Sequence, residues 1–214
     1  YDSAHNEGTT VSDITKRIQS DSVLSADATA LEAVDLFTTT QRDFFFVLDH
    51  TQFTGTLNYN DLFCLPFKLC LFALTLHLED SALRLISLSP QESWQSLTEG
   101  RRQNAEKICK DLYRPSSESR EIPPDLFLGC TQFCDKGTIL IKRELLPNVT
   151  KEEINSVFDR AAKVRDACAH TSPDQYGRIA VIDREKLGPL IRDIQTLIQA
   201  IELSIHSIAP WENR

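Results

Sequence analysis

The sequence predicts an α+β protein: a small α/β segment over residues 1–65, followed by an antiparallel α-helical bundle over residues 66–214. Three observations carry this. A continuous apolar run bounded by acids, DFFFVLD (43–49), reads as a buried strand. Beyond residue 66, apolar side chains recur every three or four positions, the helical period. The 214 residues are 41% hydrophobic and 25% charged, a globular balance sufficient for one large or two small domains.

In the first segment, Ser25 or Asp27 can cap a helix whose apolar positions are Ala30, Leu31, Val34 and Phe37. The strand at 43–49 follows, HTQFTG turns the chain, GTLNY forms a second strand and NDLF opens another helix. With a leading strand the order is strand, helix, strand, strand, helix.

In the second segment Pro66 suits a first helical turn, and Leu69, Phe72, Ala73, Leu76, Leu83 and Leu85 or Ile86 keep helical spacing. One helix is expected over 89–113, capped by Ser89, then a polar connection at 114–125 and another helix over 126–146. Thr150 and Glu153 form a capping box ahead of the stripe Ile154, Val157, Phe158, Ala161, Val164 and Cys168. The last helix, 184–208, repeats Leu187, Leu190, Ile191, Ile194, Leu197, Ile198, Ile201 and Ile205. Helices joined by short or polar loops imply an antiparallel bundle.

Composition narrows function. A net charge of −8 argues against holding nucleic acid non-specifically through counterion release, so any basic groove must be local. The six cysteines form no C-x-x-C pair or zinc-finger spacing and read as reduced thiols of a cytoplasmic protein, with no metal site expected. The apolar run 62–78 is interrupted by Pro66, Lys68 and His77 and is expected to form a buried helix, not a membrane span. Methionine is absent, which points to a processed fragment or to modified methionines left out of the sequence.

Two residue groups carry candidate chemistry. GTLNYNDL (55–62) places Gly55, where a backbone can approach a ligand, ahead of Asn58 and Asp61, whose carboxylate can either hold two hydroxyls or cap the next helix. KVRDACAH (163–170) closes the capped helix with Arg165, Asp166 and His170 off the apolar stripe. Asp166 and His170 are four apart, so the acid can orient the imidazole, and the Arg165 fork suits a phosphate. A solvated helix terminus with ordinary dipole-favoured charges explains the same residues.

Residues 11–62, with VSDI, ALEAVDLF, FFFVLD and GTLNYNDL, resemble a cystathionine beta-synthase (CBS) motif. That resemblance implies an adenosine-binding turn at Gly55, Asn58 and Asp61, with an adenine nucleotide as regulatory ligand and the pairing motif supplied by a second chain or by further sequence. The helical region, through RDACAH together with HLEDSALRLI (77–86) and Trp94, resembles the HEPN (higher eukaryotes and prokaryotes nucleotide-binding) family. It implies RNA cleavage without a required cofactor in a homodimer, with His170 as general acid or base, Arg165 on the scissile phosphate and Asp166 orienting His170 or the partner's motif. The alternative is a non-catalytic nucleotide-sensing or toxin–antitoxin-type protein that binds an antitoxin or regulatory protein.

Overall fold

The computed structural model describes residues 18–113, 124–169 and 184–208. It is mostly helical, with a small three-stranded sheet near the N-terminus, an α+β protein. The chain forms two compact units that divide between Asp61 and Leu62.

In the first unit a single 3-10 turn leads into β1 (Val23–Ser25), α1 (Ala30–Thr40), β2 (Phe44–Asp49) and β3 (Gln52–Asn58). β2 is central, parallel to β1 and antiparallel to β3. The cap of α1 is Thr29, not Ser25 or Asp27: Glu32 N–H donates to Thr29 Oγ1 at 3.2 Å and Thr29 N–H donates to Glu32 Oε2 at 2.7 Å. A reciprocal box satisfies two helix-end donors where a lone cap satisfies one, so it fixes the start. The turn is also shorter than HTQFTG, because Asp49 pairs with Gln52 and leaves a two-residue loop with His50 at φ 51°. Opposite Val47 and Leu48 the register slips by one residue at Thr54, whose hydroxyl donates to the Val47 carbonyl at 3.0 Å.

The core of this unit lies on one face of the sheet. Phe37 of α1 meets Phe45 of β2 edge-on at 4.8 Å, both fully buried, with Leu24, Ala33 and Val34 around them. DFFFVLD therefore does not form a strand buried on both faces. Phe44 and Phe53 are exposed, and each makes an edge contact with Phe46, at 5.3 Å and 6.1 Å.

A 3-10 turn (Tyr59–Phe63) precedes α2 (Leu65–Ile86), with Pro66 in its first turn. Then follow α3 (Pro90–Ser96), α4 (Glu99–Tyr113), α5 (Pro124–Gly129), α6 (Phe133–Lys142), α7 (Lys151–Ala169) and α8 (Arg184–Ile208). α2 packs on α6, α7 and α8, and α7 packs on α6 and α8. α3 and α4 both rest on α5, the former by stacking Trp94 on Phe127 at 5.2 Å.

The helix expected over 89–113 is two, parted at Leu97–Thr98, where Leu97 turns extended and is buried. The one expected over 126–146 is also two, parted at Cys130–Gln132. There the Gln132 N–H donates to Asp135 Oδ2 at 3.1 Å and starts a new helix. α2 buries Phe67, Leu71, Leu78, Ala82, Leu85 and Ile86, and exposes Leu65, Leu69 and Leu76. No helix among the described residues is long and apolar enough to cross a membrane.

α7 and α8 carry the core stripes the sequence spells out, except that Cys168 and Ile205, near the helix ends, stay partly exposed. Ile154, Val157, Phe158, Ala161 and Val164 are buried, as are Leu187, Leu190, Ile191, Ile194, Leu197, Ile198 and Ile201. Gly137, in the middle of α6, permits the close crossing of α7: a Cβ built there would lie 2.8 Å from the Phe158 ring. Gly137→Ala is expected to lower stability by about 1–3 kcal/mol through overpacking. The gain of about 1 kcal/mol that alanine offers a helix interior is too small to reverse that sign. Urea denaturation of the two proteins measures it.

Candidate functional site

Arg165 lies in the last two turns of α7, one residue past the buried Val164. The Thr150–Glu153 box fixes where that helix begins: Thr150 N–H donates to Glu153 Oε2 at 2.8 Å, and Glu153 N–H donates to Thr150 Oγ1 at 3.2 Å. Packing of Phe158 and Ala161 fixes its rotation, so the Arg165 side chain emerges at the rim with 29% of its area exposed.

Among the described residues, three groups contact its guanidinium. The Phe133 ring lies 4.9 Å from the guanidinium carbon, a cation–π contact, and that ring is itself held by Phe158 at 5.0 Å. Glu79 of α2 places Oε2 at 3.7 Å from Nη1, an ion pair beyond hydrogen-bonding distance. Asp166 places Oδ1 at 3.3 Å from Nη2. Asp166 is 64% exposed, so this second pair is a screened surface contact of small energy.

Behind Glu79 sits a group that neither the period nor the motifs single out. Lys136, in the first turns of α6, is 1% exposed. Its ammonium donates to Glu79 Oε1 and to the Thr131 carbonyl, both at 2.9 Å. A buried ammonium requires such partners, because desolvating an unpaired charge costs several kcal/mol. Next to it on α6, Asp135 is buried and pairs with Arg101 of α4. Cys134 lies in the same turn, and burial, reinforced by Asp159 and Asp135 and opposed by Arg165 and Arg101, pushes its thiol up from the ordinary range.

Of the sequence-predicted site residues, Arg165 and Asp166 are brought together, and His170 lies outside the described residues. Glu79, Phe133 and Lys136 complete the cluster and were missed. Glu79 falls within the acidic segment 77–86, whereas Lys136 stands between Asp135 and Gly137 with no local sign of burial.

In the first unit Gly55 stands opposite Val47, Asn58 ends β3 opposite Phe44, and Asp61 lies in the following 3-10 turn. Asp61 Oδ2 accepts from the Asn58 backbone N–H at 2.7 Å and from Asn58 Nδ2 at 3.1 Å. This is one half of a capping box, with Asn58 where Ser or Thr would complete it. A Cβ on Gly55 would meet nothing within 4 Å, so packing does not demand glycine there. A cavity of about 810 Å³ opens nearby in the same unit, lined by Ile18, Ser22, Arg42, Asp43, Phe44 and Phe46 among others. None of Gly55, Asn58 and Asp61 lines it.

Among the described residues, no three His, Cys, Asp or Glu side chains gather as a metal site. Compared with protein-family models, with curated proteins and with solved structures, the chain matches none.

The Lys136–Glu79 pair yields an asymmetric expectation. Glu79→Leu strands a fully buried ammonium and should cost about 3–5 kcal/mol. Lys136→Met leaves a carboxylate that is 25% exposed and still paired with Arg165, so it should cost less. The double variant should lie within about 1–2 kcal/mol of the parent, because an apolar pair can replace a buried ionic one. Chemical denaturation of the four proteins completes the cycle.

Proposed function

We propose that the chain is a HEPN-type endoribonuclease acting as a homodimer, built on an antiparallel helical bundle and regulated through the CBS-like segment by an adenine nucleotide. The observation that carries this reading is Arg165: a guanidinium fixed at a helix rim on an aromatic ring, partly exposed, five residues before His170. A planar fork held in place this way is preorganised to receive a phosphate and to stabilise charge that grows on it during cleavage. Imidazole titrates near neutral pH, so His170 would take the proton from a ribose hydroxyl or return one to the leaving oxygen. Asp166, already touching Arg165, would orient His170 or the partner copy's motif. No cofactor is required in this scheme. The setting proposed is cytoplasmic.

A second reading is a non-catalytic interaction protein that senses a nucleotide or binds an antitoxin-type regulatory partner. Two observations favour it: the net charge of −8, and the two carboxylates that already flank Arg165.

The readings part in an RNA cleavage assay run with chelator. The proposed nuclease cuts labelled RNA, and Arg165→Ala or His170→Ala lowers the rate by about 10²-fold or more with the circular dichroism unchanged. Equal residual cutting by all three proteins would assign the activity to a contaminant and leave the interaction reading. For the first unit, calorimetry with AMP and ATP is expected to show binding that Asp61→Ala weakens. No heat at protein concentrations sensitive to millimolar affinity would reduce Gly55, Asn58 and Asp61 to structural roles.

A further inference from the structure

We propose that Lys136 is a positioning residue for Arg165: by claiming one oxygen of Glu79, it keeps the guanidinium open to an anion. This rests on the reading above, in which Arg165 meets a phosphate.

The distances carry the inference. A carboxylate free to choose closes on an arginine at about 2.7–2.9 Å, often through both oxygens. Glu79 instead gives its short contact to Lys136, 2.9 Å from Oε1, and leaves Arg165 at 3.7 Å from Oε2. The lysine is held from two sides. It is 1% exposed, and its second bond goes to the Thr131 carbonyl in the turn just before α6. Phe133, which carries the guanidinium, begins α6 one turn earlier than Lys136. One helix start therefore supplies both the ring under Arg165 and the cation that restrains its acid.

Charge points the same way. Lys136 and Arg165 offset Glu79 and Asp166, and the neighbouring Asp135 is offset by Arg101. Without Lys136, the two carboxylates beside Arg165 would have no second cation to share, and Glu79 would be free to close on the guanidinium. An incoming phosphate would then have to displace a bidentate pair. With Lys136 in place it displaces a 3.7 Å contact and a solvent-screened one.

The test follows the Arg165 Nε–Hε resonance of the full ¹⁵N-labelled chain, identified by its loss in Arg165→Lys, during titration with inorganic phosphate. The parent signal is expected to shift. Lys136→Met should raise the midpoint by about fivefold, and Glu79→Gln with Lys136→Met should bring it back to within about twofold, the scale of a partly screened charge contact. A lysine that only supports the fold would leave the midpoint of folded Lys136→Met unchanged, and that result overturns the inference. So does a double variant that binds no better than the single one. If Lys136→Met does not fold, Lys136→Gln, which removes the charge but keeps an amide donor for Glu79, takes its place: a raised midpoint supports the proposal, and an unchanged one overturns it. A parent signal blind to phosphate overturns both this inference and the phosphate role of Arg165. A normal phosphate response in a protein that cuts no RNA sinks the ribonuclease reading alone.

Discussion

A single buried ammonium ties the second unit together at the candidate site. Lys136 has almost no contact with water, so its charge is tolerated only while Glu79 and the Thr131 carbonyl stay within hydrogen-bonding reach. Glu79 belongs to α2 and Thr131 to the turn before α6, so the cost of an unpaired charge locks the register of one element against the other. A hydrophobic contact tolerates sliding by a fraction of an ångström; a charge with two partners at 2.9 Å does not. The position of Glu79, and with it the environment of Arg165, follows from that requirement.

The second control is steric. α6 and α7 approach closely because Gly137 has no Cβ to meet the Phe158 ring, and Phe158 in turn holds Phe133 at 5.0 Å. Phe133 is the surface on which the Arg165 guanidinium lies. One small residue thus sets the helix spacing, the spacing sets the ring, and the ring sets the cation. The cluster is built from the core outward, which explains why a side chain at the rim is nonetheless ordered by three partners.

How much of this could be read in the sequence depended on whether one face of an element was much more apolar than the other. α7 and α8 alternate apolar and charged residues cleanly, and their buried positions are those the period picks out. α2 is apolar nearly all round, so two helical stripes coexist. Periodicity selects Leu69 and Leu76, while the neighbours of α2 bury Leu71 and Leu78. The breaks at Leu97–Thr98 and Cys130–Gln132 carry no proline; Gly129 and Thr131 weaken the helix at the second, a signal that also fits a continuous helix. Arg165 and Asp166 were legible because a capping box and a stripe fixed the face they avoid. Lys136 was not, because burial of a charge is decided by a partner 57 positions away in the chain.

The two candidate sites differ in how far apart in the chain their partners lie. At Asp61 the carboxylate spends one oxygen on two donors from Asn58, and this local turn needs nothing beyond its own four residues. Such a bond forms in any chain with an acid at that spacing, so it says little about a ligand. At Arg165 the partners come from α2, α6 and α7, and one of them, Glu79, is held by a buried lysine whose desolvation must be offset. An arrangement that draws on distant segments and strains against the solvation of charge is hard to maintain as a by-product of packing. Function is therefore better supported physically in the helical unit than in the sheet unit, whose cavity of about 810 Å³ is lined by none of Gly55, Asn58 and Asp61.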